Sequence, residues 1–193
     1  MALAAATLAQ KIQDLGDPTS PRWPGNQPAG QAARLLVSAY DGYAKQAVDP
    51  SGDRFLGGNT AAMQATLAPL FASSVGDPAT AAQVFGLAHT AYWTGGQFAV
   101  GIPPAPGTPG VVGGNGIFAL EQVSSVTAAI PTLLTAALAT LFASPSTDPV
   151  ARARAVAQAW HAATAVVVVT IIGLDATPPP AGPLPIVATG GPR

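Results

Sequence analysis

An internal repeat constrains this chain more than any other feature of its sequence. Residues 64–78 and 135–149 align without a gap at a constant offset of 71, and nine of the fifteen aligned positions are identical. Both copies are rich in Ala and Leu, and both end in an Asp-Pro pair. An aspartate accepts hydrogen bonds from the free amides of a first helical turn, and proline fits the position after it. Each copy is therefore predicted to be a helical hairpin whose second helix begins at Asp77 or Asp148.

After each hairpin the sequence changes from a helical to an extended pattern. Residues 97–102 form the extended stretch of the first copy, and residues 166–172, with four consecutive valines, form that of the second. A Pro-rich exit follows each stretch, at Pro103 and Pro104 in the first copy and at Pro178, Pro179 and Pro180 in the second. The predicted fold is mainly α with minor β, built from a duplicated helix-helix-strand unit with Pro/Gly-rich extended arms. The two strands are expected to pair with each other or to join a neighbour's sheet.

The chain divides into three segments. Residues 1–54 are predicted to form an N-terminal helical segment and linker, with a first helix that ends at Gly16. A signal peptide is the alternative for that helix, but the sequence lacks a basic leading region. Residues 55–176 form the duplicated helical core, and residues 177–193 form a Pro-rich C-terminal arm. Without a hydrogen-bonding ladder of its own, this arm is expected to lie on an adjacent chain.

Charged residues are scarce and unevenly placed. Only 17 of the 193 residues are charged, and ten of these lie in residues 1–54. The remaining surface is either covered with hydroxyl and amide groups or enclosed by neighbouring subunits, and the second interpretation explains the deficit better. Eight cations against nine anions leave no positive excess to neutralise phosphates, so no direct contact with nucleic acid is expected.

The sequence contains little that resembles catalytic or cofactor-binding chemistry. There is no cysteine, no Gly-x-Ser-x-Gly elbow, no His-Glu-x-x-His motif and no paired-carboxylate cluster. We therefore expect a protein that is not an enzyme and has no cofactor. His89 and His161 occupy aligned positions and are weak candidates for metal ligands; a hydrogen bond to a backbone carbonyl is the alternative.

Residues 122–147 carry no charge and could be considered as a membrane helix. Pro131 interrupts the stretch and several Ser and Thr residues dilute it, so no membrane span is expected. The second helical hairpin is predicted to begin at residue 131 and to extend to residue 165.

Aromatic residues and prolines supply the predicted contact residues. Aromatic side chains near helix ends are frequent at interfaces and equally frequent in cores. The predicted interface consists of these aromatic residues and the prolines of both exits: Tyr92, Trp93, Phe98, Pro103, Pro104, Trp160, Pro178, Pro179 and Pro180.

The order of these motifs resembles a known group of proteins. Tyr92-Trp93-Thr-Gly-Gly-Gln-Phe precedes Ile102-Pro-Pro-x-Pro, a Gly-rich turn and an Ala/Leu helix, and Trp160-His-Ala-Ala-Thr-x-Val-Val-Val-Val precedes a Pro-rich tail. This order is similar to that of small structural (virion) proteins of tailed bacteriophages and phage-like particles, loosely over residues 60–185.

The resemblance implies a non-enzymatic subunit of a capsid, neck, tail or baseplate, located in the virion after assembly in the host cytoplasm. Its implied partners are other virion structural proteins and copies of itself. The alternative is an envelope-associated or secreted module that binds a small molecule or a protein.

Overall fold

Six helices and five strands form the part of the chain that the computed structural model describes, namely residues 3–48, 54–73, 77–98, 118–175, 185–190 and 192. The helices are α1 (Ala5–Gly16), α2 (Ala29–Ala44), α3 (Thr60–Ala72), α4 (Pro78–Trp93), α5 (Pro131–Ala143) and α6 (Pro149–Ala165). The strands are β1 (Phe55–Gly57), β2 (Gln97–Phe98), β3 (Phe118–Ala128), β4 (Val168–Asp175) and β5 (Pro185–Gly190). The predicted mainly α fold class with minor β is confirmed.

The six helices form a closed ring. Each helix packs on the next one along the chain, and α6 packs back on α1. Leucines that face the interior, such as Leu8, Leu67 and Leu134, are fully buried and belong to one continuous core. Because α1 and α2 close this ring, the N-terminal segment contributes to the same core as the later helices.

The two segments predicted as hairpins are both pairs of helices. The Asp77 carboxylate accepts hydrogen bonds from the amides of Ala79 and Thr80 at the start of α4. The Asp148 carboxylate accepts one from the amide of Val150, at 2.9 Å, at the start of α6. Both predicted caps are therefore present, whereas the duplication of the two hairpins as superposable units stays a prediction.

The strands form one antiparallel sheet in the order β1-β2-β3-β4-β5. The expectation that the strands of the two units pair with each other is wrong, because β3 lies between β2 and β4 and pairs with both. Strand β3 occupies residues 118–128, a segment for which the sequence predicted no strand. Helix α5 begins at Pro131, because proline suits the first helical position, whose N–H has no partner within the helix. None of the described helices is both long and apolar enough to cross a membrane.

The predicted C-terminal arm contains a strand that belongs to this chain's own sheet. Residues 185–190 pair with β4 over six residue pairs, from Val169 with Gly190 to Leu174 with Pro185. The expectation that the arm has no hydrogen-bonding ladder of its own is therefore wrong for these residues. Residues 177–184 and the first Pro-rich exit, residues 102–109, lie outside the described part of the chain.

Replacing Asp148 with alanine is expected to lower the free energy of unfolding by about 1 kcal/mol, because the amide of Val150 loses its acceptor. The matched control is Asp148→Asn, which keeps an accepting oxygen and should lose much less. Urea unfolding followed by circular dichroism measures both variants. Equal losses in the two variants would contradict a stabilising cap at Asp148.

Candidate functional site

Tyr40 lies at the centre of a buried cluster of aromatic and polar side chains. Its hydroxyl oxygen accepts a hydrogen bond from the indole N–H of Trp93 at 2.8 Å and lies 2.8 Å from the Thr164 hydroxyl oxygen. Since the Tyr40 oxygen accepts from Trp93, its own proton is free to be donated to Thr164. Burial raises the pKa of Tyr40, so this hydroxyl stays protonated. The cluster joins α2, α4 and α6.

Aromatic rings surround Tyr40 on several sides. The centroid of its ring lies 4.9 Å from Trp160, 5.0 Å from Tyr92 and 5.8 Å from both Tyr43 and His89. Several of these contacts are tilted or edge-to-face, which are favourable geometries for aromatic pairs. The cluster is a packed core, in which Tyr40 and these four neighbours are fully buried.

The aromatic residues that were predicted to form an interface are part of this core instead. Tyr92, Trp93 and Trp160 are fully buried, and Phe98 is 3% exposed. Their side chains are covered by other parts of the same chain, such as Phe55 on β1 in the case of Phe98, and are not presented to a partner. The other predicted interface residues, Pro103, Pro104, Pro178, Pro179 and Pro180, lie outside the described residues.

The two histidines contact different side chains. His89 is fully buried, and its Nε2 atom lies 3.5 Å from the hydroxyl oxygen of Thr164. His161 is half-buried, and its Nδ1 atom lies 2.7 Å from the hydroxyl oxygen of Tyr43. The partners are thus hydroxyl groups rather than the expected backbone carbonyls. Among the described residues, no three His, Asp or Glu side chains lie close enough together to hold a metal ion.

The surface end of the cluster is an aspartate on α2. The Tyr92 hydroxyl donates to Asp41 Oδ1 at 2.8 Å, and Lys45 Nζ lies 2.7 Å from Asp41 Oδ2. Burial and the neighbouring carboxylate both raise the pKa of Tyr92. These contacts occupy both carboxylate oxygens of Asp41 and tie α4 to α2.

An uncharged surface lies on the far side of the ring. Helices α3, α4 and α5 contain no Asp, Glu, Lys or Arg. Three large apolar side chains on or beside α4 and α5 are nevertheless exposed: Leu87 at 58%, Leu133 at 52% and Ile130 at 44%. Between α4 and α5 runs a groove of about 440 Å³ that is lined mainly by Ala and Thr and, of these three residues, includes Leu87. We call these three residues and the groove the α4/α5 face.

Close packing of α4 on α5 forms the floor of this groove. Gly86 faces α5, and a Cβ atom at this position would collide with the Thr135 side chain and lie 3.1 Å from the carbonyl oxygen of Pro131. The absence of a side chain at Gly86 therefore lets the two helices approach. The sequence showed the lack of charge on these helices, but not which of their leucines are exposed.

A second cleft, also of about 440 Å³, lies where the segment between α1 and α2 folds back. Its walls include Trp23, Leu15, Leu36 and Phe71, and Phe71 is 39% exposed. Its polar lining side chains are amides, with no ionisable group among them. Sequence analysis did not find this cleft, because its walls come from separate helices and a linker.

Comparison of the chain with known protein families, curated proteins and solved structures gave no match. The functional inference therefore depends on the residues and contacts described above. The α4/α5 face and the cleft beside Trp23, called the Trp23 cleft below, are open to a partner. The buried cluster around Tyr40 is closed.

Replacing Tyr40 with phenylalanine leaves the buried Trp93 N–H without its acceptor. It also removes the nearer partner of the Thr164 hydroxyl, which keeps His89 Nε2 at 3.5 Å. We expect a loss of about 1–3 kcal/mol in the free energy of unfolding, because buried polar groups are then left unsatisfied. Tyr43→Phe is the matched control, since the 2.7 Å partner of its hydroxyl is the half-buried His161, which water can reach. Urea unfolding at neutral pH measures both variants, and a loss for Tyr40→Phe no larger than for Tyr43→Phe would contradict this role.

Acidification is expected to destabilise the protein through His89. Burial lowers the pKa of His89 from 6.5 to about 4, so the unfolded chain binds the proton first as the pH falls. The contribution of neutral His89 to the free energy of unfolding is fully present above about pH 6.5. It falls by about 3 kcal/mol as the pH is lowered to about 4. Urea unfolding between pH 4 and 7.5 measures this slope. Most of the slope should disappear in His89→Gln, and the remainder comes from carboxylates with a lowered pKa, such as Asp77. An unchanged slope in that variant would assign the effect to other groups.

Proposed function

We propose that this chain is a non-enzymatic structural subunit of a multi-subunit particle of the kind built by tailed bacteriophages. Its partners are other structural proteins of the particle and copies of itself, and its location is the assembled virion. The observation that carries the proposal is the α4/α5 face, where large apolar side chains are exposed on helices without a single charged residue.

The α4/α5 face has the properties of a surface that becomes covered. Burying a charged group costs free energy unless the group is paired, and this face has none to bury. Covering Leu87, Leu133 and Ile130 removes apolar area from water, which favours association by about 25 cal/mol per Å² before the costs of binding. Contiguous exposed apolar patches mark interaction sites in soluble proteins, and Leu87 lies at the groove between α4 and α5.

The non-enzymatic part of the proposal is supported by how the described ionisable groups are used. Asp77 and Asp148 cap helices, Asp41 is paired with Tyr92 and Lys45, and His89 is enclosed in the core. Neither of the two clefts of about 440 Å³ has an ionisable side chain in its lining. General acid-base chemistry needs such groups within reach of a bound substrate.

The Trp23 cleft favours the alternative, an envelope-associated or secreted binding module. Its volume lies within the usual range for small-molecule sites, and its apolar walls with two amide side chains suit a neutral ligand. A binding module of this kind has no need to self-associate, so oligomeric state separates the two functions.

The experiment is size-exclusion chromatography with light scattering on the full chain and on the double variant Leu87→Lys/Leu133→Lys. We expect the unmodified protein to form species larger than a dimer at high concentration. The double variant should be no larger than a dimer, because its lysines must be desolvated on association. The matched control is Leu56→Lys, because Leu56 on β1 has the same exposed fraction as Leu87, 58%.

Circular dichroism should show that the helices remain folded in both the double variant and Leu56→Lys. A monomeric wild-type protein at high concentration would overturn the proposal in favour of the binding module. Equal dissociation in Leu56→Lys would show that the α4/α5 face is not the contact.

A further inference from the structure

The two edges of the sheet are built differently. Strand β1, at one edge, is only three residues long, and its register with β2 is irregular between Phe55 and Gly57. Gly57 has a φ of 153°, and the exposed Arg54 directly precedes the strand. Short length, irregular register and a nearby charge are the features by which natural sheets prevent other strands from adding to an edge.

Strand β5, at the other edge, has few of these protective features. It is six residues long, and its register with β4 has no irregularity across all six pairs. Its sequence, Pro-Ile-Val-Ala-Thr-Gly, contains no charge, and its single proline is the first residue. Within the described part of the chain, β5 has a neighbouring strand on one side only.

The geometry of an antiparallel ladder leaves backbone groups available on the open side of β5. Alternate residues direct both their N–H and C=O groups toward the same side, so three of the six residues direct them away from β4. No described strand pairs with these groups, and an uncharged edge of this kind is a template for the addition of another strand.

We propose that β5 pairs in antiparallel orientation with β5 of a second copy and so joins two five-stranded sheets into one. The inference rests on the proposed function, of which it identifies one partner and one contact. A second copy suits this edge because two identical antiparallel strands are related by a twofold axis, and each residue pair then occurs twice. The uncharged sequence also brings no like charges together across the axis.

This arrangement fixes which residues meet. If the six residues pair along their full length, the axis passes close to Val187 and Ala188 at the middle of the strand. Cα atoms of directly opposite residues in antiparallel strands lie about 4.5–5.5 Å apart. This spacing is within the range of about 4.4–6.8 Å that a disulfide bridges.

The chain contains no cysteine, so introduced cysteines report this contact without a background. Four single variants are needed, namely Ile186→Cys, Val187→Cys, Ala188→Cys and Thr189→Cys, oxidised alone and in pairwise mixtures and separated on non-reducing gels. Each is made in the wild-type chain and in Leu87→Lys/Leu133→Lys. Ser38→Cys, at an exposed position on α2, is the control for random collision.

We expect a yield of covalent dimers at least tenfold above that of the Ser38→Cys control. Only those pairs of positions should cross-link whose two residue numbers add up to the same total, because directly opposite residues in an antiparallel pair of strands have this property. The dimers should persist in Leu87→Lys/Leu133→Lys, which separates this contact from the α4/α5 face.

Cross-linking no stronger than in the control, or equally strong self-cross-linking at all four positions, would overturn the β5 pairing. If the wild-type chain is still oligomeric in that case, the proposed function stands without this contact. A wild-type chain that is monomeric and not cross-linked removes both proposals.

Discussion

The hydroxyl group of Tyr40 joins three helices of the ring by hydrogen bonds in its interior. Each helix of the ring packs on its neighbours in the ring. Helices α2, α4 and α6 are not neighbours in the ring, and the hydrogen bonds of Tyr40 with Trp93 and Thr164 join them in its interior. In a medium of low dielectric constant these hydrogen bonds are strong, and an unpaired member is costly. The closed ring therefore depends on one fully satisfied polar group at its centre, around which the aromatic rings are packed.

This core determines what remains for the surface. Tyr92, Trp93 and Trp160 are enclosed in the ring, so the outer sides of α3, α4 and α5 present mainly Ala, Thr and Leu. The charges of α1 and α2 lie elsewhere in the ring and hydrate only their own part of the surface. The result is a molecule with one part of its surface suited to water and another suited to contact with protein.

The two proposed contacts have different consequences for assembly. Antiparallel pairing of β5 with its copy is symmetric and closes as a dimer. A contact through the α4/α5 face uses a separate surface, so it can link such dimers to further copies or to other proteins. A chain with both contacts can extend an assembly through two separate surfaces, which suits a particle subunit.

The sequence by itself determined the helices and their ends, because capping at Asp77 and Asp148 and the stop at Gly16 involve residues within four positions of each other. It also identified an extended segment in the valines that lead into β4. It did not reveal β3, the strand order or the location of the aromatic side chains. Those depend on contacts between distant residues, such as Tyr40 with Thr164, 124 positions apart. A local pattern cannot distinguish an aromatic side chain that is buried in its own core from one that is buried by a partner, because both face away from water; only the tertiary structure made that choice here.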